Sequence, residues 1–408
     1  MPTDPRQALL SIFKSALAAV DGRERVRSYL LQHPVSAPVF LVSIGKAACA
    51  MAQGAHEMLG ANIDDALVVT KQGHAESLPW PVLEAGHPLP DERSLAAGLK
   101  LLDFVASIPP EATVLVLLSG GASALVEVLP EGVNLAQLRA LNDWLLASGH
   151  DIVAMNRLRK CLSRIKGGRL AKMLAPRPVL CLAISDVPDD DPCVIGSGPL
   201  VADASLMASS DTTGLSSVLV EVLRHSPPAP ATDDACFQYV HFEIIARLGN
   251  AKRAAAEMAR QLGYRAVVHP EFIEGDALAA GARLAQMLLA APAGELQVWG
   301  GETTLKLPSC PGRGGRNQSL ALAAALALRG QENIWFLSVG TDGTDGPTTD
   351  AGALVDGGTI ARGETVGQPA HQALASADAG KYLEASGDLI HTGPTGTNVM
   401  DLMLGLRV

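Results

Sequence analysis

Charged and hydroxyl residues of this 408-residue sequence recur in glycine-rich turns, each directly after a short apolar run. The first such turn is Ser43-Ile44-Gly45-Lys46, and a helical pattern begins immediately after it. Lys46 is therefore expected at a helix N-terminus, where its ammonium group adds to the positive end of the helix dipole. That placement is unfavourable for stability and suits anion binding. Taken alone, the pattern is equally consistent with a solvated surface lysine.

A second turn, Ser119-Gly120-Gly121-Ala122-Ser123, follows the apolar run 113–118. Paired glycines permit close approach to the backbone, and successive N–H groups can form an anion-binding concavity. The turn is not a Walker A loop, because no G-x-x-x-x-G-K-S/T string occurs in the sequence. It also lacks the second glycine of a lipase-type nucleophile elbow. By itself it indicates phosphate binding only weakly.

A basic segment covers residues 156–172, with seven basic side chains and no acidic one. Such a run is usually a solvated face. Two features favour phosphate or carboxylate binding instead. Gly167-Gly168 ends the helix, and Arg157, Lys160 and Arg164 share one helix face by their spacing. Both interpretations stay open from the sequence.

An acidic turn follows the apolar run 179–184, with four aspartates at positions 186, 189, 190 and 191. The string Gly196-Ser197-Gly198-Pro199 comes shortly after it. A phosphoryl-transfer site needs carboxylates of this kind, either to hold Mg²⁺ or to accept the proton of the substrate hydroxyl. Asp186 is favoured for such a role over an exposed acidic turn, because it is the aspartate closest to the strand end.

Similar turns recur in the second half of the chain. They are Trp299-Gly300-Gly301-Glu302, the string 312–318, the string 340–352 and the string 391–398, the last of which is expected to precede a final helix. Ligands of parallel α/β sheets bind outside the carboxyl ends of the strands. The repeated placement of these turns between predicted strands and helices therefore indicates function more strongly than any one turn does.

The elements that must position these turns alternate along the chain. Apolar, β-branched runs predict buried strands, and Ala/Leu-rich segments with helical spacing predict helices. This alternation predicts an α/β fold with mainly parallel sheets and helices on both faces. The predicted strands are 39–44, 66–70, 113–118, 179–184, 296–299 and 334–339; the predicted helices are 47–59, 91–106, 134–147, 152–165, 251–262, 276–289 and 316–328.

Composition excludes several classes of protein. A net charge of −10 argues against nucleic-acid and membrane-surface binding, and 48% hydrophobic residues argue against disorder. The six cysteines show no C-x-x-C spacing and are expected to be reduced core thiols. Residues 8–20 are interrupted by Lys14 and predict an amphipathic helix, not a signal peptide. We expect a cytoplasmic protein.

The proline-rich stretch 225–234 is the clearest domain boundary in the sequence. It predicts a larger domain over residues 1–235 and a smaller one over 236–408. The sequence does not decide which of the two the tail after about residue 391 packs on.

Together these strings resemble the type 2 glycerate kinases, the glycerate 2-kinase family whose C-terminal part is called the MOFRL domain. The resemblance runs from about residue 5 to the end. It is most specific at residues 119–123, 160–170, 185–187 with 196–199, 312–318 and 341–352. It implies a Rossmann-like N-terminal domain, a smaller α/β C-terminal domain and an active site in the interdomain cleft. It also implies ATP, Mg²⁺ and phosphorylation of D-glycerate to 2-phosphoglycerate.

The resemblance assigns roles position by position. Asp186 would orient or deprotonate the substrate hydroxyl, while Lys46 and Arg316 would neutralise charge on the transferring phosphoryl group. Asp342 or Asp345 would hold the metal. The expected nucleotide-binding residues are Ser119, Gly120, Gly121, Ala122, Ser123, Lys166, Gly196, Ser197, Gly198 and Glu302.

Two rival functions remain. An NAD(P)H-dependent hydroxypyruvate reductase would need G-x-G-x-x-G at the first strand–helix turn, which Ser43-Ile44-Gly45-Lys46-Ala47-Ala48 does not supply. A sugar-phosphate or nucleotide sensor would need the glycine loops but neither Asp186 nor Arg316. The expected partners are glycerate and ATP, with no nucleic acid or membrane. The residues do not decide regiochemistry, enantiomer, nucleotide and metal tolerance, or whether the chain forms a homodimer.

Overall fold

All six apolar runs predicted as strands are strands in the computed structural model, and each of the seven segments predicted as helical contains a helix. The structure describes residues 4–148, 152–207, 217–364, 367 and 369–408. The chain divides into two compact units, Gly22–Ile245 and Met1–Asp21 with Ala246–Val408. We call them the first unit and the second unit.

The first unit is built on one six-stranded sheet. Its strands are β1 (Val39–Ile44), β2 (Ile63–Lys71), β3 (Val82–Ala85), β4 (Thr113–Leu118), β5 (Val179–Ile184) and β6 (Val240–Ala246). The order is β3-β2-β1-β4-β5-β6, and the pairs from β3 through β5 are parallel. Nearly every side chain of β1, β4 and β5 is buried, as expected for central strands covered on both faces.

Helices of the first unit cover this sheet. They are α2 (Gly22–Gln32), α3 (Ala48–Leu59), α4 (Glu92–Ser107), α5 (Ala122–Leu125), α6 (Leu135–Ser148), α7 (Ile152–Cys161), α8 (Arg169–Leu174) and α9 (Ser217–Arg224). Leu101 of α4 lies in one core cluster with Val42, Val116 and Cys181 of the central strands. The strand ends that carry the predicted site residues therefore stand on a rigid, fully buried base.

The second unit holds a second six-stranded sheet. Its strands are β7 (Arg265–Ile273), β8 (Glu295–Gly301), β9 (Ile334–Gly340), β10 (Gly352–Asp356), β11 (Leu389–Ile390) and β12 (Asp401–Arg407). The order is β11-β10-β9-β12-β8-β7. Its helices are α1 (Pro5–Ala18), α10 (Leu248–Gln261), α11 (Ala277–Ala290), α12 (Arg316–Ala327), α13 (Thr359–Gly363), α14 (Ala370–Ala375) and α15 (Ala379–Ser386).

The α/β fold is confirmed, but the expectation of mainly parallel sheets is wrong for the second unit. Only β7 and β8 pair in parallel there, and the pairs β8–β12, β12–β9, β9–β10 and β10–β11 are antiparallel. The loop 341–351 returns the chain directly from β9 to β10 with no crossover helix. The final segment, expected to be a helix, is β12, because it is buried between β8 and β9 and strand pairing decides its conformation.

The observed units differ from the predicted domains 1–235 and 236–408. The proline-rich stretch 225–234 lies inside the first unit, because β6, which follows it, joins the first sheet. Residues 1–21 belong to the second unit, where α1 packs against α10. The tail after residue 391 also belongs to the second unit, since β12 lies within its sheet.

Two expectations from composition can be compared with the structure. None of the six cysteines, all of which the structure describes, forms a disulfide bond. In the described ranges, no helix has the length and apolar character that crossing a membrane requires.

Close packing of α11 on α12 gives a test of the second core. Gly281 of α11 lies so near α12 that a Cβ atom there would overlap the Leu320 carbonyl group. We expect Gly281→Ala to lower the free energy of unfolding by about 1–3 kcal/mol, because the two helices must separate. The measurement is urea unfolding followed by circular dichroism.

The matched control is Gly249→Ala in α10, where a Cβ atom would have no neighbour within 4 Å. Alanine has the higher helix propensity, so this variant should be as stable as the native protein or more stable by up to about 1 kcal/mol. Equal stability of the two variants would contradict the packing argument.

Candidate functional site

The turns after β1 and β4 lie side by side because these strands pair in register, with Ile44 opposite Leu118. The backbone N–H of Lys46 donates to the Gly120 carbonyl oxygen at 2.9 Å. The fully buried Ser119 hydroxyl accepts from the Ala47 N–H at 3.0 Å. These bonds fix the position of Lys46 against the second turn, and they commit the Ser119 side chain to the fold.

Glycine is required where these two turns meet. Gly45 has φ +135° and a Cβ atom there would overlap the Ser119 hydroxyl oxygen. Gly121 has φ +84°, and a Cβ atom on it would lie 2.9 Å from Cδ2 of His87 and 3.5 Å from Cγ of Lys46. The structure therefore brings His87 to the same point as Lys46 and Gly121. His87 was missed from the sequence because the four-residue β3 before it was not recognised as a strand.

The glycine loops 119–123 and 196–198 are joined through serine hydroxyls and one lysine. Oγ of Ser123 lies 2.7 Å from Oγ of Ser197. The buried Lys166 ammonium donates to the Ser123 carbonyl oxygen at 2.8 Å and forms an ion pair with the buried Glu127 carboxylate. Lys166 is thus engaged inside the chain, which favours a role in positioning the loops over direct contact with a nucleotide.

The loop that follows β5 has an unusual backbone. Gly196, Ser197 and Gly198 have φ values of 57°, 65° and 59°. The carbonyl oxygens of Ser197 and Gly198 accept hydrogen bonds of 3.0 and 2.8 Å from the N–H groups of residues 167 and 168. Asp186 is partly buried at the end of β5, whereas Asp189 is exposed. Because β5 pairs in parallel with β4, their carboxyl ends are neighbours, and Asp186 after β5 lies at the same edge of the sheet as Ser119 after β4.

Part of the basic segment 156–172 forms the interior of the first unit. The buried Lys160 ammonium donates to Asp203 at 2.6 Å and to the Cys193 carbonyl oxygen at 2.8 Å. The Arg169 guanidinium donates to the carbonyl oxygens of Lys160, Lys166 and Pro227. The anion-binding interpretation is wrong for Lys160, because the Asp203 carboxylate of the same chain already neutralises its ammonium group. Asp203 lies far along the chain, so this partner could not be assigned from the sequence pattern.

In the second unit, three strand ends meet at one edge. Asp401, the first residue of β12, stands opposite Gly301 of β8 on one side and Gly340 of β9 on the other. Glu302 directly follows β8, and Arg316 begins α12. The antiparallel insertion of β12 thus brings a carboxylate to the carboxyl ends of its neighbours.

The Arg316 guanidinium lies between two carboxylates. Nη1 donates to Oε1 of Glu302 at 2.6 Å, and Nη2 lies 3.5 Å from Oδ2 of Asp401. Burial opposes the charged form of Arg316, but Asp401 and Glu302 outweigh it and hold its pKa above the ordinary value. We call these three residues the Arg316 cluster; its guanidinium is a fixed cation at a strand-end edge.

Asp345 caps α12. Its carboxylate oxygens accept from the backbone N–H groups of Asn317 and Gln318 at 3.0 and 2.8 Å. A Cβ atom on Gly315 would overlap this carboxylate, so glycine is needed there. Asp342 accepts from the Thr344 N–H and hydroxyl at 2.9 and 3.1 Å.

The prediction that Asp342 or Asp345 holds the metal meets a constraint at Asp345. Both oxygens of Asp345 are already used by the helix N-terminus. Within the ranges that the structure describes, no group of three or more His, Cys, Asp or Glu side chains is placed to hold a metal ion. Which of the two aspartates would hold Mg²⁺ stays a prediction.

Comparison with known proteins bears on the identity of the chain. Residues 8–217 match a domain of unknown function, DUF4147, and residues 295–401 match the MOFRL family. A D-glycerate 2-kinase of Thermotoga maritima is 37% identical, with 100% of this chain and 99% of that one covered. The chain belongs to the glycerate 2-kinase family.

A solved structure and a second relative are also similar to this chain. The crystal structure of a glycerate kinase from Thermotoga maritima superposes with a TM-score of 0.85 at 36% identity, covering 98% of this chain and 99% of that one. A protein of Agrobacterium vitis, provisionally named a hydroxypyruvate reductase, is 38% identical, with coverage of 97% and 93%.

The buried pair of Lys166 and Glu127 should matter greatly for stability. Lys166→Met leaves the Glu127 carboxylate buried without its cation, which costs about 3–5 kcal/mol for such pairs. The double variant Lys166→Met, Glu127→Leu should recover much of this loss, because both charges are gone. Urea unfolding of the single and double variants is the measurement.

Lys172→Met is the matched control, since Lys172 lies in the same basic segment but is 59% exposed, and pairs with Asp234. Exposed ion pairs contribute little, so its unfolding midpoint should not change. A similar loss of stability in both single variants would contradict the claim that burial makes the Lys166–Glu127 pair costly to break.

Burial raises the pKa of Asp345 to about 6, while the N–H groups of Gln318 and Asn317 act in the opposite direction. Between about pH 4 and 6 an unfolded Asp ionises and the folded Asp345 does not, so stability falls as pH rises, by up to about 3 kcal/mol. Asp345→Asn removes this contribution. The free energy of unfolding of the variant, relative to that of the native protein, should therefore rise between about pH 4 and 6 in urea titrations. Parallel pH profiles would contradict the assignment.

Proposed function

We propose that this chain transfers the γ-phosphoryl group of ATP to the 2-hydroxyl group of D-glycerate, which gives ADP and 2-phosphoglycerate. The observation that carries the proposal is the Arg316 guanidinium, held cationic at a strand-end edge by Glu302 and Asp401. The family supports it, because the Thermotoga maritima relative named D-glycerate 2-kinase matches over its whole length.

Asp186 is the group that takes the proton in this proposal. The hydroxyl proton of glycerate passes to the Asp186 carboxylate as the oxygen attacks the γ-phosphorus, and the bond from that phosphorus to the bridging oxygen of ADP breaks. Its position at the end of a central strand supports this role. Without a base, the hydroxyl group would keep its proton and be a weaker nucleophile. General-base catalysis typically raises the rate by about 10²–10⁴-fold.

Lys46 and Arg316 neutralise the charge that spreads over the transferring group. Phosphoryl transfer depends mainly on positioning and electrostatic stabilisation, and fixed cations need no reorganisation at the moment of reaction. The backbone of Lys46 is fixed by the Gly120 carbonyl oxygen, and the Arg316 guanidinium lies between the Glu302 and Asp401 carboxylates. This assignment requires both residues to reach the same substrates during turnover, and the interdomain cleft stays a prediction.

The glycine loops are proposed to hold the phosphates of ATP. The left-handed backbone at Gly121 and at residues 196–198, typical of anion-binding turns, and the position of Gly121 beside Lys46 support this assignment. Mg²⁺ is proposed to arrive with the nucleotide, because Asp345 is committed to α12. The cytoplasmic location and the homodimer also stay predictions.

A reductase is disfavoured by the first strand–helix turn. A dinucleotide would need its pyrophosphate against this turn. The turn at Gly45 is instead occupied by Ser119, which packs directly on its Cα. The name given to the Agrobacterium vitis relative nevertheless makes hydroxypyruvate a substrate to include in the test.

The test is ADP release by the purified protein with MgATP and D-glycerate, with the product identified by phosphorus NMR. Asp186→Asn should lower kcat by about 10²–10⁴-fold, because the proton acceptor is lost. The matched control is Asp189→Asn in the same loop, which is exposed and at φ 60°, a conformation that asparagine tolerates. The control should keep native kcat.

Each other outcome has a distinct meaning. Formation of 3-phosphoglycerate would keep the kinase and overturn the regiochemistry. NADH oxidation with hydroxypyruvate and no glycerate-dependent ADP would replace the kinase by a reductase. ATP binding with no turnover in the native protein, unchanged by Asp186→Asn, would indicate a sensor.

A further inference from the structure

Asp401 is a buried carboxylate beside Arg316. It begins β12, and hydrogen-bonded strands lie on both sides of it, with Gly301 and Gly340 opposite. Its side chain is 4% exposed. A Cβ atom on Gly340 would lie 3.6 Å from Oδ1 of Asp401, so the carboxylate is in contact with the backbone of β9. Because its backbone is held from both sides, Asp401 cannot move without disturbing the sheet.

The carboxylate faces Arg316 on one side and is anchored on the other. Oδ2 lies 3.5 Å from Nη2 of Arg316 and has no hydrogen-bond partner among the described residues. The Asn317 side chain hydrogen-bonds the same carboxyl group. The amide oxygen of Asn317 in turn accepts from the Ser338 hydroxyl of β9 at 2.6 Å. Asp401 is therefore tied to the sheet behind it and presents one oxygen to the guanidinium.

Glu302, the second partner of Arg316, is held much less firmly. Its side chain is 43% exposed, and it lies just beyond the end of β8. An exposed carboxylate can exchange its partner for water at little cost, since exposed pairs contribute about 0–1 kcal/mol. A buried carboxylate cannot, because the uncompensated charge would stay in a low-dielectric environment. The two partners of Arg316 are thus unequal.

Resting on the proposed function, we propose that Asp401 is a positioning residue that fixes the Arg316 guanidinium. Glu302 accepts from Nη1 of Arg316 until a phosphoryl oxygen of the substrate replaces it. The guanidinium fork is planar, so the charge attraction between Nη2 and Oδ2 of Asp401, which lie 3.5 Å apart, orients Nη1 as well. Glu302 and a phosphate oxygen are both anionic acceptors of the same donor. Glu302 is then a competitor of the nucleotide and not one of its ligands.

The electrostatics of the pair are consistent with this division. Burial raises the pKa of Asp401 to about 7, and Arg316 acts against that rise. The charge of Asp401 therefore depends on the guanidinium beside it, as expected for two groups that function together.

The experiment compares Asp401→Asn with Glu302→Gln in steady-state kinetics and in calorimetric titration with tripolyphosphate. Asp401→Asn should lower kcat by about 10–100-fold, as loss of a second-layer partner does in other sites. Glu302→Gln should bind tripolyphosphate about two- to fivefold more tightly, because an exposed competitor is removed. Weaker or unchanged tripolyphosphate binding in Glu302→Gln would overturn the competitor role.

Asp388→Asn is the control for a merely structural effect. Asp388 is also a buried carboxylate of the second unit and accepts from Arg6 and Arg362 at 3.1 and 2.9 Å. It should lower stability but leave kcat per folded molecule unchanged. If Asp401→Asn behaves like Asp388→Asn, the positioning role is wrong.

Chemical rescue separates positioning from folding. Arg316→Ala should regain activity with millimolar guanidinium ion when Asp401 is present, and the double variant Arg316→Ala, Asp401→Asn should not. Equal rescue of both would overturn the proposal. Failure of the proposed function is recognised separately: the native protein would then show no glycerate-dependent ADP release, and the tripolyphosphate titrations would still decide whether Glu302 competes for Arg316.

Discussion

Hydrogen bonding between neighbouring strands aligns the residues that follow them, and both charged clusters of this chain depend on that alignment. In the first unit the register of β1 with β4 places Lys46 against Gly120. In the second unit the register of β12 with β8 and β9 places Asp401 at the carboxyl ends of two strands that run the opposite way. The same constraint acts through parallel pairs in one unit and antiparallel pairs in the other.

Charge is distributed between interior and edge in a consistent way. The basic segment 156–172 contributes Lys160 and Lys166 to buried ion pairs with Asp203 and Glu127. These pairs hold the loops that carry the strand-end residues, and their charges are neutralised where they stand. Buried pairs of this kind add little net stability compared with apolar packing, but breaking one is costly. Their effect is to fix loop positions, which is what a preformed anion site requires.

The sequence predicted the strands that are buried on both faces, because continuous apolar runs reveal them. It missed β7, where Pro270 and polar residues interrupt the run, and β12, whose leucines and methionine are also typical of helices. Position after a strand singled out Lys46 and Asp186 as candidates, whereas Arg316 and Asp345 came from the family resemblance, and the roles of all four stay predictions. The sequence could not indicate Asp401, His87 or Glu127, because each depends on a partner brought near by tertiary pairing.

The cap on α12 explains why the second unit would bind anions through a side chain. A helix N-terminus ordinarily attracts phosphate, because its N–H groups are unpaired and its dipole is positive there. Here Asp345 already accepts from the N–H groups of residues 317 and 318, so an internal carboxylate occupies that position. A phosphoryl oxygen approaching α12 would meet the Arg316 guanidinium in place of the helix end. The Glu302 and Asp401 carboxylates orient that guanidinium, and they therefore determine the direction in which it can bind a phosphoryl group.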